Sequence, residues 1–268
     1  MSIVVIAIPG DAKRVFANEL FLASGGAVSL VIIQRVSGIA TPRPLREFLK
    51  IGTLKRYFQE LFSAIALRMF PRLRNTLTYF REWSTEISDD GTYLAPVMFV
   101  DSVNSDETYE AIKAINPELI AVWGSNILSP RIVSAGRHVI NLHLGYCPHY
   151  RGTWANQYAV YNNDYLKIGV TIHKVSPRVD AGEVYSIVEP VFSLPPQELF
   201  RDLNNRARAL FIDIAVRLHA GKAVPSKKQD LRKGVNLLLR NWTPRVRYAV
   251  ARRIRTWEKK GLRFVRKA

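Results

Sequence analysis

Short apolar runs recur along the chain at residues 2–8, 27–34, 96–100, 119–123 and 139–142, and segments with helical patterning separate several of them, at 11–24 and 108–114. Runs of this length read as buried strands, and a chain that alternates them with helices has few architectures open to it. The expectation is an α/β fold: a Rossmann-like, mostly parallel twisted sheet with helices on both faces. Two further strands are expected at 168–175 and 183–192, and a long helix at 197–219. Gly25-Gly26 is positioned to end the first helix. The first strand leads into Pro9-Gly10-Asp11, without a Gly-x-Gly-x-x-Gly fingerprint, so a dinucleotide held on the first helix is not expected.

Two stretches depart from that alternation. Residues 42–83 form an insertion with apolar residues, among them Leu54, Phe58, Leu61, Phe62, Ile65 and Met69, at three and four spacing, as amphipathic helices require. Between Pro42 and Glu82 nine Lys and Arg stand against three Glu, which suits either a solvated basic face or a surface for phosphates or anionic lipid. Residues 226–268 carry 15 Lys and Arg against Asp230 and Glu258, a balance of +13, whereas the other 225 residues carry only +4. This divides the chain into a catalytic domain at 1–225 and a basic helical extension at 226–268. Val246, Ala249, Val250, Ile254 and Trp257 share one helical side of the extension. That stripe can pack on the domain or a second subunit, giving a homodimer, or lie on an anionic membrane; RNA is a less favoured partner.

The length of 268 residues suits one substantial domain with extensions, and a single Cys excludes an internal disulfide. The opening apolar run is too short for a membrane span and lacks a basic leader. The expected location is the cytoplasm, with peripheral association with the inner membrane face as the variant the basic segments allow.

Chemistry concentrates between Val139 and Gly182. The strand at 139–142 delivers Asn141 and His143 at alternating positions, hence on one face. A turn-prone segment with Gly145, Pro148 and Gly152 follows, and the strand at 168–175 ends in a loop containing Asp180 and Gly182. In open α/β sheets ligands sit beyond the carboxyl ends of strands, so an amide, an imidazole and a carboxylate are expected to converge there. They suit transfer of an acyl group between nitrogens: a base takes the amine proton while donors face the oxygen that becomes negative. Asp180 alone could be a turn residue, and Arg151 could brace a loop or meet an anion. Cys147 admits a Cys-His-Asp hydrolase reading, but nothing in the sequence marks it as an activated thiolate. The spacing of His143, His149, His173 and Asp180 matches no zinc pattern, and no metal is expected.

Asn141-Leu142-His143, then Pro148, Tyr150-Arg151-Gly152, and later Val179-Asp180-Ala181-Gly182 resemble the signature of the folate-dependent formyltransferases. That family includes the glycinamide ribonucleotide, methionyl-tRNA and sugar-nucleotide N-formyltransferases. The resemblance spans roughly residues 95 to 195. Leu144-Gly145-Tyr146-Cys147 stands where the family usually has x-Ser-Leu-Leu, which removes one hydroxyl from the pattern. The resemblance implies formyl transfer from 10-formyltetrahydrofolate to a primary amine, with Asn141, His143 and Asp180 catalytic. It implies that Trp123, Gly124, Ser125, Asn126, Ile127 and Leu128, with Val179, Ala181 and Gly182, hold the folate co-substrate, and that Tyr150, Arg151 and Gly152 meet the acceptor. A tail without alternating strand patterns differs from the β-rich tRNA-gripping domain, so a nucleotide-linked amino sugar for surface polysaccharide or lipopolysaccharide synthesis is the preferred acceptor. The alternatives are a methionyl-tRNA formyltransferase-like enzyme, a formyltetrahydrofolate hydrolase, and a non-catalytic protein of this fold that docks on membrane or RNA.

Overall fold

The structure is a computed structural model and describes residues 1–35, 54–81 and 91–262. Strands β1 (Ile3–Ala7) and β4 (Leu119–Trp123) are buried at every position, because each lies inside the sheet with layers above and below. Seven strands assemble in the order β3-β2-β1-β4-β5-β7-β8, with β2 at Val28–Gln34, β3 at Val97–Val100, β5 at His138–His143, β7 at Val170–Lys174 and β8 at Val184–Val188. The pairings from β3 through β5 are parallel, and β7 and β8 close the far edge in antiparallel fashion. The chain leaves β1 first toward β2 and later returns to its other side as β4. The crevice between the carboxyl ends of β1 and β4 is therefore the switch point at which such sheets take ligands.

Helices cover both faces. On one, α1 (Asp11–Ala23) packs with the long α7 (Pro196–His219); Phe16 stacks on Phe211 at 5.2 Å and meets Trp123 edge-on at 5.4 Å. On the other, α4 (Asp106–Ile115) and α5 (Pro130–Val133) bring Ile112 and Ile132 against Val4, Ile6 and Ile120. Ser105 and Ser129 cap these two helices by accepting from the backbone N–H three residues on. A short helix, α6 (Ala155–Tyr161), follows the small strand β6 (Tyr150–Gly152).

The insertion forms α2 (Leu54–Met69) and α3 (Pro71–Asn75), as the spacing predicts; its expected start at 42–53 and its end at 82–83 lie outside the described residues. The extension departs from a uniformly helical segment. Its first part, residues 226–243, carries the strand β9 (Val235–Leu237), which pairs in parallel with β6, and a bridge between Lys227 and Val184. Only α8 (Pro244–Lys260) is a long helix. Val246, Val250, Ile254 and Trp257 are buried, with Trp257 edge-on to Tyr165 at 5.4 Å, so its apolar stripe is consumed by packing on the domain. Of the alternatives open to that stripe, packing on the domain is the one realised, and the face is no longer available to a membrane or a second subunit. No helix among the described residues is long and apolar enough to cross a membrane.

Candidate active site

The end of β5 sets Asn141 and His143 on one face, opposite His173 and Thr171 of β7. The connection from β7 to β8 then returns Asp180 to them. Its carboxylate is the hub: Oδ2 lies 3.2 Å from His143 Nδ1 and accepts from Gly152 N at 2.8 Å, while Oδ1 accepts from Asn141 Nδ2 at 3.4 Å and lies 3.4 Å from His173 Nε2. Burial raises the Asp180 carboxyl, but the neighbouring His143 and His173 and the Gly152 N–H outweigh it and hold the group well below the usual carboxylate range. Asp180 adopts a left-handed backbone, φ 46, and the loop that imposes it is tied down by Gln229, whose amide donates to Asp180 O at 3.0 Å and Gly182 O at 2.6 Å.

The two catalytic candidates on β5 are themselves bonded. His143 Nε2 lies 3.0 Å from the Tyr150 carbonyl, so oxygen atoms flank both ring nitrogens. Asn141 Nδ2 spends its hydrogens on Asp180 and on His173 Nε2 at 3.2 Å, and His173 Nδ1 donates to Lys174 O at 2.7 Å. His173, considered in the sequence only as a metal ligand, thus orients Asn141. Among the described residues no group of three or more His, Cys, Asp or Glu side chains is arranged to hold a metal ion.

Two cavities meet at His143. The larger, about 620 Å3, opens at the β1/β4 switch point and runs past Ile8, Trp123–Leu128, Ser176, Arg178–Asp180 and Asn236–Leu239 to Asn141 and His143. The smaller, about 230 Å3, is lined by Phe80, His143, Leu144, Gly152, Thr153, Trp154, Asn156 and Gln157. His143, Leu144, Gly152 and Thr153 border both. Gln157 is buried and lines the small cavity. Gly145 makes the arrangement sterically possible: a Cβ there would collide with His143 Nε2 and Ala155 Cβ.

The expected co-substrate residues divide. Trp123 to Leu128 and Val179 line the large cleft, though the Trp123 ring is packed into the core and leaves its backbone to the cleft. Ala181 and Gly182 do not line it; Gly182 is buried where a Cβ would overlap the Lys174 carbonyl. Of the expected acceptor residues only Gly152 reaches either cavity. Tyr150 supplies its carbonyl to His143 and turns its hydroxyl to Asp164 at 3.2 Å, and Arg151, whose Nε is buried without a partner, lines neither cavity. Both lie on β6, which pairs with β9 beside the two cavities. Gln34, whose Oε1 accepts from Asn126 N at 2.9 Å, and the cleft wall at 236–239 carry no motif and were invisible in the sequence. Burial pushes the Cys147 thiol up and the charge of Asp180 adds to it, which leaves no activated thiolate for a Cys-His-Asp hydrolase.

Comparison with known proteins agrees with this geometry. Residues 95–212 match the family described as Formyl transferase. A methionyl-tRNA formyltransferase of Chlorobium chlorochromatii (strain CaD3) is 32% identical over 139 residues, 50% of this chain and 43% of the relative. One from Geobacillus sp. (strain WCH70) is 31% identical over 140 residues, 50% of this chain and 43% of the relative. The chain thus spans less than half the length of the curated relatives it matches. Among solved structures, a sugar N-formyltransferase from Shewanella sp. FDAARGOS_354 superposes with TM-score 0.55 at 17% identity, covering 94% of this chain and 88% of its own. The N-formyltransferase from Helicobacter canadensis, in complex with folinic acid and dTDP-3-aminofucose, does so with TM-score 0.50 at 12% identity, covering 93% and 79%. At these identities the structural likeness speaks for the fold, and the family match speaks for the stretch that holds Asn141, His143 and Asp180: residues 95–212 form a domain of the formyl transferase family.

Proposed function

We propose that this protein moves a formyl group from 10-formyltetrahydrofolate to the primary amine of a nucleotide-linked amino sugar. The observation that carries the reading is the meeting of two cavities at one imidazole, with an ionised carboxylate behind it. The larger cleft has the size and the mixed apolar and backbone lining of a cofactor-sized site. It fits a folate, with the backbone of Trp123–Leu128 and Val179 as its walls. When bound, the folate supplies a formyl carbon carried on a nitrogen leaving group.

The chain's own residues then act on the incoming amine and on the oxygen that gains charge. Asn141 and His143 present N–H groups that exchange their resting acceptors, Asp180 and the Tyr150 carbonyl, for that oxygen. Asp180, held ionised, balances the positive charge that grows on the attacking nitrogen, whose proton leaves to a water beside the site. His173 and Gly152 N keep the amide and the carboxylate aimed.

The acceptor occupies the smaller cavity, with an apolar face against Phe80 and Trp154 and a hydroxyl or carbonyl on Gln157. A sugar nucleotide is preferred because sugar N-formyltransferases, among them the one bound to dTDP-3-aminofucose, share the fold across nearly the whole chain. The methionyl-tRNA enzymes align over half of it. In this reading residues 1–225 are the catalytic domain and 226–243 of the extension complete its cleft. His143→Ala is the test: formylation of a dTDP- or UDP-linked amino sugar should fall at least about a thousandfold. Turnover at the wild-type rate refutes the assignment, and formate release without any amine identifies a hydrolase instead.

A further inference from the structure

Helix α2 is amphipathic in the wrong sense for a helix on a protein surface. Its polar Glu60 and Ser63 face inward with Ala66 and Leu67, and Glu60 Oε2 accepts from Arg245 N at the start of α8. Outward stand Phe58, Leu61, Phe62, Ile65 and Met69, at the spacing of one helical stripe, and Phe70 continues it. Phe58, Phe62, Met69 and Phe70 are 58%, 62%, 68% and 59% exposed, far more than large side chains in a core-facing stripe would be.

The charge around this stripe has one sign. Arg68, Arg72 and Arg74 are exposed beside and beyond its end, and Arg252 lies 5.8 Å above the ring of Tyr248, which meets Phe62 at 5.9 Å. Within residues 54–81 and 244–262 the sequence carries thirteen Lys and Arg but only two acids. Glu60 is buried, and Glu258 is engaged by Tyr79 and Arg255. A two-fold contact between copies would set these arginines against each other, which disfavours self-association. A nucleic acid would answer the charge but leave six large apolar side chains in water.

From this we infer that α2, with the basic flanks of α3 and α8, is a docking surface for an anionic lipid bilayer. Aromatic and aliphatic side chains on α2 enter the headgroup boundary while the arginines meet lipid phosphates. Of the two basic segments that admitted membrane contact in the sequence, the insertion keeps an open apolar stripe and the extension's is buried.

The test uses the full chain and vesicles of phosphatidylglycerol with phosphatidylethanolamine, against vesicles of phosphatidylcholine alone. The protein should sediment with the anionic vesicles, less so in high salt, and not with the neutral ones. The triple variant Phe58→Ser, Ile65→Ser, Met69→Ser keeps every charge and should lose at least about tenfold in partitioning, with unchanged melting temperature and unchanged formylation. Failure of the wild-type chain to bind anionic vesicles overturns the inference, as does a variant that binds equally well. So does a variant whose melting temperature falls, since the stripe would then be packed on the chain itself, or one that turns a dimer into a monomer. Because formylation is read separately, loss of vesicle binding and failure of the catalytic reading are distinguishable.

Discussion

Replacing Asp180 with Asn keeps the shape of the side chain and removes its charge from a site where His143, the Asn141 amide and the Gly152 N–H converge on it. One amide oxygen can still accept from Gly152 N, but the NH2 group then faces donors. Breaking a buried charge pair from one side costs about 3–5 kcal/mol, and the retained acceptor argues for the lower end, about 3 kcal/mol. For a domain of this size that is a fall in melting temperature of roughly 6–12 °C. The pH dependence has a definite sign. The folded-state carboxyl titrates below its ordinary range, so its stabilisation is whole above the unfolded-state value of about 3.9 and is lost as pH falls toward the folded-state value. The gap between wild type and Asp180→Asn in urea denaturation should be constant from pH 7 to 5. Below about pH 4 it should narrow by about 1.4 kcal/mol per pH unit. Turnover at pH 7 should fall at least about a thousandfold. An Asn variant as stable as wild type at pH 7, or a gap unchanged down to pH 3, would refute the account of Asp180 as an ionised hub.

Three further substitutions probe the surroundings. Gly145→Ala should lower kcat while circular dichroism remains native, because the added methyl displaces the His143 ring at a local packing cost of about 1–3 kcal/mol. Gln157→Leu should raise KM for the amine acceptor by about tenfold or more and leave KM for the folate unchanged, a split that steady-state kinetics with each substrate varied would read. Trp257→Ala removes a buried ring packed on Tyr165 and Phe200 and should cost about 3–5 kcal/mol in chemical denaturation, without changing either KM.

Much of the fold was legible because its signals are local. The uninterrupted apolar character of the runs at β1 and β4 is what a strand with helices on both sides requires, and the alternation with helices implied a mostly parallel sheet. Asn141, His143 and Asp180 were legible as a motif, and the structure brings them within 3.4 Å of one another through Asp180. For Tyr150 and Arg151 the motif states that the residues occur near a site, whereas the partners they take there, Asp164 for the Tyr150 hydroxyl among them, come only from the tertiary structure. Gln229, Gln34 and residues 236–239 are ordinary polar and apolar residues whose part in the site arises only from distant segments coming together.

The extension draws the division most sharply. Its sequence by itself determined an amphipathic basic helix, since helix formation and the placing of Val246, Val250, Ile254 and Trp257 on one side follow from spacing within one turn of the chain. What that side would meet was decided only by tertiary structure: a stripe of apolar side chains pays for burial against any apolar surface, and the hydrophobic effect has no direction. Packing against the domain took the stripe of α8 and left that of α2 facing outward, although both follow the same periodicity.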